Sequence, residues 1–268
     1  MLHYKTIMLQ SDKPWVTFIH GAGGSSAIWY KQIKEFKKHF NLLLVDLRGH
    51  GKSERGKWKK GDTFEEIADD VIEVLDHLNI SSSHFVGISL GTVIIQTIAQ
   101  KNRSRIETMV LGGAVTHLRY RSRFLLTVGN MSKYILPYMW LYKLLAWIIM
   151  PRNHHLESRN AFVQQAKKLC QKEFIRWFTL TKAINPFLKR LQNDFFNIPT
   201  LFVMGQEDHM FLIPVKQIVE QVEETKLVCL KDAGHVCNID QADSFNQVVI
   251  DFIYPSGSVQ KPLTFISG

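Results

Sequence analysis

The chain has 268 residues, a formal net charge of +9 and 46% hydrophobic residues. This composition excludes a disordered protein and supplies enough apolar residues for a full core, either as one α/β domain with an insertion or as two domains. Three cysteines cannot form a disulfide framework, so a reducing, cytoplasmic location is expected.

Short and nearly continuous apolar runs recur along the chain, and they predict strands of a parallel sheet that is covered on both faces. The runs are residues 16–19, 42–45, 85–86, 109–111, 201–204 and 227–230, with room for one further strand near residues 4–9. Helical spacing separates them, and Thr63 with Glu66 predicts a capping box at one helix start. The alternation predicts an α/β fold with a doubly wound, mostly parallel sheet.

The strand–helix alternation stops at residue 115. Residues 115–195 are predicted to form a helical, aromatic-rich cap inserted between the two parts of the core, residues 1–114 and 196–268. The most apolar stretch, residues 134–150, contains Pro137 and Lys143 and is shorter than the roughly 20 apolar residues that span a bilayer. A buried or interfacial segment is therefore expected there.

The positive charge is concentrated in the predicted cap. Residues 115–195 carry 14 Lys and Arg against 3 Asp and Glu, whereas the rest of the chain carries 19 against 21. This distribution predicts peripheral contact between the cap and an anionic lipid surface or amphiphile, with a solvated basic face as the alternative. No nucleic-acid-binding module is recognisable, so nucleic acid is not an expected partner.

One pentapeptide carries the strongest chemical signal, Gly87-Ile88-Ser89-Leu90-Gly91. It follows a predicted strand and precedes a predicted helix, so it predicts a strained turn that lifts the Ser89 hydroxyl above the sheet edge. Flanking glycines allow the close approach of backbone that such a turn needs. An ordinary Gly/Ser turn is the alternative for the pentapeptide alone, and the strand and helix around it favour a nucleophile.

A serine nucleophile needs a base, and the base needs a carboxylate that orients it. His235 follows the last predicted strand and Asp208 follows the one before it, so both should lie at the same carboxyl edge as Ser89. Glu207 is the rival acid and is expected to point elsewhere. Among the other histidines, His155 and His154 are expected at the surface, with His39 and His77.

An oxyanion hole needs two backbone donors. The predicted donors are Leu90 N–H and Ala22 N–H, the latter in the loop His20-Gly21-Ala22-Gly23-Gly24-Ser25. This loop lacks the ending of a nucleotide-binding P-loop, so no cofactor is predicted. The supporting residues of the site are predicted to be His20, Gly21, Gly23, Gly87 and Gly91.

Metal and thiol chemistry are not predicted. No cluster of His, Cys or Asp shows the spacing of metal ligands in the sequence, so no metal is expected. Cys237 is expected in the core or the pocket wall, and Cys170 and Cys229 are expected to be buried.

Together these motifs resemble the α/β-hydrolase superfamily over roughly residues 1–115 and 196–254. The resemblance rests on the His20 loop, the segment Asp46-Leu47-Arg48-Gly49-His50-Gly51-Lys52-Ser53, the Ser89 turn, Asp208 and the segment Asp232-Ala233-Gly234-His235. It implies the nucleophile, acid and base order Ser89, Asp208, His235. Epoxide hydrolases and haloalkane dehalogenases use an aspartate where this chain has Ser89.

The resemblance implies a serine esterase, similar to carboxylesterases and lipases, whose small-molecule substrate has an apolar acyl or aromatic portion. The alternatives with the same triad are a carbon–carbon bond hydrolase, a lyase similar to the menaquinone-pathway enzyme, and a thioesterase. Those carbon–carbon enzymes usually show Ser-Met-Gly-Gly, whereas this chain has Ser89-Leu90-Gly91-Thr92. A non-catalytic binding protein of the same fold is the remaining alternative.

Overall fold

The protein was analysed as a computed structural model that describes residues 1–53, 58–118, 120, 127, 137–181, 184–193 and 197–254, with residues 190–193 described by their backbone alone. Its seven strands are β1 (Tyr4–Ile7), β2 (Trp15–Ile19), β3 (Asn41–Val45), β4 (Ser83–Ile88), β5 (Ile106–Gly112), β6 (Thr200–Gly205) and β7 (Thr225–Leu230). The order in the sheet is β1-β3-β2-β4-β5-β6-β7. β1 pairs antiparallel with β3, and the pairs from β3 through β7 are parallel. The doubly wound, mostly parallel sheet is thereby confirmed.

Helices cover both faces of the sheet. The helices around the strands are α1 (Tyr30–Phe36), α2 (Phe64–His77), α3 (Leu90–Lys101), α8 (Leu212–Val219), α9 (Cys237–Asp240) and α10 (Ala242–Ile253). Side chains of α2, α3 and α8 share one buried apolar cluster, and those of α1, α9 and α10 share another. Successive β3 residues alternate between the clusters, with Leu43 and Val45 in the first and Leu42 and Leu44 in the second.

Local sequence explains the start of α2. The Thr63 hydroxyl accepts the Glu65 N–H, and the Glu66 carboxylate accepts the Thr63 N–H, which is the predicted capping box. Ile67, Val71 and Val74 then bury one face of the helix against the sheet. The short strand predicted near residues 4–9 is confirmed as β1.

Among the residues described between β5 and β6, four α-helices are present: α4 (Tyr138–Ile149), α5 (Leu156–Ala166), α6 (Gln171–Leu180) and α7 (Ile184–Asn193). Tyr134 and the predicted cap boundary at Phe195 lie outside the described residues. Across the described ranges, no helix is long and apolar enough to cross a membrane. The helical segment is joined to the core at several points, among them the Trp177 indole, which donates to the Arg48 carbonyl (2.9 Å).

Three predicted environments are wrong. Cys170 is exposed and Cys229 is half-buried, because the first lies at the start of α6 and the second in the edge strand β7. His155 is fully buried rather than at the surface, since its ring packs against the backbone of Gly234. Cys237 is buried as expected, and burial raises the pKa of its thiol.

Candidate active site

Ser89 lies between the end of β4 and the start of α3, at the carboxyl edge of the sheet. Its backbone is strained, with φ 54° and ψ −124° in a residue that is not glycine. The turn also brings α3 against β2, where a Cβ atom at Gly91 would lie 2.3 Å from the Ile19 carbonyl oxygen. The Thr92 hydroxyl donates to the Ser89 carbonyl (2.6 Å) and accepts the Val115 N–H (3.2 Å), which fixes the turn.

The three residues predicted as nucleophile, base and acid form a continuous hydrogen-bonded line. The Ser89 hydroxyl lies 2.8 Å from His235 Nε2, and His235 Nδ1 lies 2.8 Å from Asp208 Oδ2. With Nδ1 protonated, the imidazole donates to the carboxylate and accepts from the serine. Asp208 and His235 are both buried, so water does not compete for these bonds.

The two neighbouring carboxylates, Asp208 and Glu207, point to different partners. Asp208 uses its second oxygen, Oδ1, to accept the Phe211 N–H (3.1 Å), which restrains the carboxylate beside His235. The Glu207 carboxylate instead lies 2.7 Å from His154 Nε2 and 3.3 Å from Arg152 Nε, in the helical segment. Of the two, only Asp208 contacts His235.

The predicted oxyanion donors line the same cavity as Ser89. Among the described residues, neither the Ala22 N–H nor the Leu90 N–H has a hydrogen-bond partner, and Leu90 is the first residue of α3, where N–H groups have no intrahelical acceptor. Gly21 lies beside them, where a Cβ atom would come within 3.0 Å of Ser89 Cβ. The geometry therefore leaves two free donors beside the serine.

The peptide that follows the Ala22 N–H is held at both ends. The Tyr142 hydroxyl of α4 donates to the Ala22 carbonyl (2.5 Å), and the Gly23 N–H donates to His50 Nε2 (2.9 Å). Burial raises the pKa of Tyr142, so its hydroxyl stays protonated and remains a donor. Sequence reasoning missed Tyr142, because nothing in the local pattern of a helix marks a contact with a loop so distant in the chain.

Two buried neutral histidines brace the loop. Burial lowers the pKa of His20, and burial with the nearby His20 lowers the pKa of His50 to about 3. Each ring donates from Nδ1 to a carbonyl and accepts a backbone N–H at Nε2, that of Leu47 for His20 and that of Gly23 for His50. His20 therefore supports the loop without contacting Ser89 through its ring nitrogens.

A cavity of about 200 Å³ opens above Ser89. Its walls are apolar and come mainly from α4, α6 and the turn after β6, with Leu145, Ile148, Phe174 and Phe211 among them. Within the described part of the chain, Tyr142 and His235 are the only titratable side chains that line it, and no Lys, Arg, Asp or Glu does. The cavity suits an uncharged, apolar group.

Comparisons with known proteins agree with this architecture. The family model described as "alpha/beta hydrolase fold" matches residues 14–137. A putative carbamate hydrolase, RutD, of Agrobacterium fabrum is 26% identical over 92% of this chain and 95% of its own length. 3-oxoadipate enol-lactonase 1 of Acinetobacter baylyi is 21% identical over 93% of each chain.

A solved structure has the same fold over most of the chain. The crystal structure of the enol-lactonase from Burkholderia xenovorans LB400 superposes with a TM-score of 0.80 at 22% identity, covering 94% of this chain and 96% of that one. The sheet order, the turn at Ser89 and the family match point to one conclusion. This chain has the α/β-hydrolase fold, and its residues 14–137 match the family model of that fold.

Proposed function

We propose that this protein is a serine hydrolase that cleaves uncharged carboxylic esters with an apolar acyl or aromatic portion. The observation that carries the proposal is the line Ser89–His235–Asp208, which ends at the floor of an apolar cavity without charged walls among the described residues. Residues 115–195 would act as the cap that supplies these walls. The curated relatives, named as hydrolases of a carbamate and of an enol-lactone, support hydrolysis as the reaction type.

The chemistry follows from the positions of the protons. His235 Nε2 takes the hydroxyl proton as Ser89 Oγ forms a bond to the ester carbonyl carbon, and the carbonyl oxygen becomes an oxyanion. The Ala22 and Leu90 N–H groups stabilise that oxyanion. Collapse breaks the bond to the leaving alkoxide, which takes the proton from His235. Water then attacks the acyl-enzyme by the same route, giving the acid and restoring Ser89.

Asp208 would keep the imidazole in the tautomer that accepts from serine, and it would stabilise the imidazolium between the two proton transfers. Because the acid is buried and also holds the Phe211 N–H, the histidine ring cannot easily turn away from Ser89. Phe211 additionally packs its ring 4.8 Å from the His235 ring, centroid to centroid. These contacts preorganise the base before substrate binds.

Tyr142 is a positioning residue in this scheme. The change Tyr142→Phe removes the hydrogen bond to the Ala22 carbonyl, so the adjacent donor should be aimed less well at the oxyanion. We expect kcat to fall by about 5- to 30-fold, from about 1–2 kcal/mol of lost transition-state stabilisation, with little change in KM. Steady-state kinetics on p-nitrophenyl butyrate measure the effect. Tyr138→Phe, on the same helix but outside the cavity lining, is the matched control, and an equal loss there would contradict the assignment.

The cavity predicts how activity depends on the acyl chain. Each methylene buried there contributes about 0.8 kcal/mol, so kcat/KM should rise by up to about fourfold per carbon until the cavity is full, and then fall. A series of p-nitrophenyl esters from acetate upward tests this. A terminal carboxylate on the acyl chain should abolish the gain, since the described walls offer no cationic partner. A flat series, or a preference for the charged acyl group, would contradict the proposed substrate class.

Thioesters and carbon–carbon substrates test the alternatives that share the triad. The same cavity could seat an acyl thioester, which differs from an ester in its leaving group alone. We expect the protein to hydrolyse oxygen esters. Matched thioesters in the same panel show whether it is a thioesterase instead. A wild-type protein that is inert towards every ester and cleaves a carbon–carbon substrate would instead favour a carbon–carbon bond hydrolase or lyase.

We also propose that the protein makes peripheral contact with an anionic lipid surface. One exposed face of α4 supports this proposal. Trp140, Leu144 and Trp147 are 73%, 54% and 60% exposed, and helical spacing places Lys143 beside them. Leu144 also lines the cavity, so this face adjoins the proposed substrate site. Apolar anchors combined with a cation fit the interface of an anionic bilayer.

Vesicle sedimentation measures this contact. We expect the wild type to bind phosphatidylglycerol vesicles at least tenfold more tightly than phosphatidylcholine vesicles at low salt. The double change Trp140→Ser with Trp147→Ser should remove most of the binding, whereas Tyr254→Ser, an exposed aromatic outside the helical segment, should retain it. Binding that is equal in both variants, or absent in the wild type, would leave a merely solvated basic face.

A further inference from the structure

His154, His155 and Glu207 bring three potential metal ligands together outside the lining of the Ser89 cavity. The histidines form the turn between α4 and α5, and Glu207 lies in the turn after β6. His154 Nε2 lies 2.7 Å and His155 Nε2 lies 2.9 Å from the same oxygen, Glu207 Oε2. The three candidate ligand atoms all lie within 4.8 Å of one another.

His155 has an unusual environment for a polar ring. It is fully buried, and neither of its nitrogens makes a hydrogen bond; the approach of Nε2 to Glu207 is an ion-pair distance only. The ring is held against Gly234, where a Cβ atom would lie 2.8 Å from His155 Cε1. An unbonded buried polar group is costly, and packing holds this ring with Nε2 2.9 Å from Glu207 Oε2 without aligning it for a hydrogen bond. The nitrogen is therefore positioned as a ligand without a settled partner.

We propose that His154 Nε2, His155 Nε2 and the Glu207 carboxylate form a site for a divalent transition metal of the Zn²⁺ class. Two imidazoles and one carboxylate are a ligand set that binds Zn²⁺. Tetrahedral bonds of about 2.0–2.1 Å place ligand atoms about 3.3 Å apart. The two nitrogens, at 2.7 and 2.9 Å from Glu207 Oε2, would therefore move outward by about 0.5 Å when a metal binds. Remaining positions would be filled by water. Sequence spacing does not indicate the site, because Glu207 lies far from the two histidines along the chain.

Arg152 is the competing cation at this site. Its Nε lies 3.3 Å from Glu207 Oε2, and its side chain is largely exposed, so it can move into solvent when a metal binds. The position of the site suggests what the metal would do. Glu207 precedes Asp208, and its N–H donates to the Ala233 carbonyl (3.0 Å) in the turn that leads to His235. A bound metal would link the helical segment to both turns that carry the acid and the base.

Metal binding by the full-length, chelator-treated protein tests the proposal. We expect isothermal titration with ZnCl₂ to show one site per chain in the micromolar range or tighter, and CoCl₂ to produce a d–d absorption band. Saturating Zn²⁺ should raise Tm by roughly 5 °C, since a ligand that binds the folded state alone stabilises it. These readouts do not depend on esterase activity.

Variants assign the ligands. His154 and Glu207 are not fully buried, so His154→Ala and Glu207→Gln should fold, and each should weaken Zn²⁺ binding at least tenfold and remove the cobalt band. Arg152→Gln should bind as tightly as the wild type or more tightly. His39→Ala, an exposed histidine outside the helical segment, is the matched control and should bind normally. No binding by the wild type, or equal binding by the His154 and Glu207 variants, would overturn the proposal and leave the cluster as an ion pair.

Discussion

Replacing Ser89 by alanine is expected to lower kcat for ester hydrolysis by about 10⁴- to 10⁶-fold, to the residual rate that substrate binding and oxyanion stabilisation supply without a nucleophile. KM should change little, because the cavity walls and the Ala22 and Leu90 N–H groups remain. The fold should also remain, since the substitution removes only the hydroxyl group and its hydrogen bond to His235. Because alanine and serine both carry a Cβ atom, the backbone strain at this positive φ is the same in both proteins.

Single-turnover and steady-state kinetics on p-nitrophenyl butyrate measure the loss, with thermal unfolding measured in parallel. Ser244→Ala, an exposed serine on α10, is the matched control and should keep both kcat and Tm. A Ser89→Ala enzyme that retains more than a tenth of the wild-type kcat would show that another group is the nucleophile.

The change Asp208→Asn is expected to lower kcat by about 10⁴-fold. The amide preserves the shape of the side chain, but it can donate to His235 Nδ1, which favours the tautomer that carries its proton on Nε2. That tautomer cannot accept the serine proton. The loss should appear in kcat with KM nearly constant, because Asp208 does not line the cavity.

Asp243→Asn, an exposed carboxylate at the start of α10, controls for the general effect of removing one negative charge. It should leave kcat within twofold of the wild type. If Asp208→Asn costs less than tenfold, then Asp208 is not the residue that orients His235. The 2.8 Å contact would then be a structural ion pair.

The local sequence pattern predicts those residues whose environment depends on their own strand or turn. Ser89 and Asp208 closely follow the buried strands β4 and β6, and His235 follows the edge strand β7. Parallel strands end at one edge of the sheet, so topology alone predicts that the three residues meet. The glycines around Ser89 could also be predicted locally, since the turn requires them where its backbone approaches neighbouring backbone closely. For this reason the fold and the contacts of these three side chains agree with the sequence-based expectation.

Contacts between the helical segment and the core could not be predicted from the sequence. Tyr142 and Trp177 look like ordinary core aromatics of their helices, yet one contacts the loop at Ala22 and the other the loop at Arg48. His155 is expected at the surface because it lies in a helical or loop segment, whereas in the structure its ring is buried against Gly234. Such pairings depend on how a segment folds back over the sheet, which no periodicity encodes.

Covalent labelling with a fluorophosphonate, followed by peptide mass spectrometry, tests whether Ser89 is an activated nucleophile. The reagent forms a stable bond with an activated serine and leaves ordinary hydroxyls unmodified. We expect one label per chain on Ser89, formed rapidly in the wild type and at least about 10³-fold more slowly in His235→Ala, since the base supplies most of the activation. A wild-type protein that remains unlabelled, or is labelled on any residue other than Ser89, would contradict the assignment of Ser89 as nucleophile.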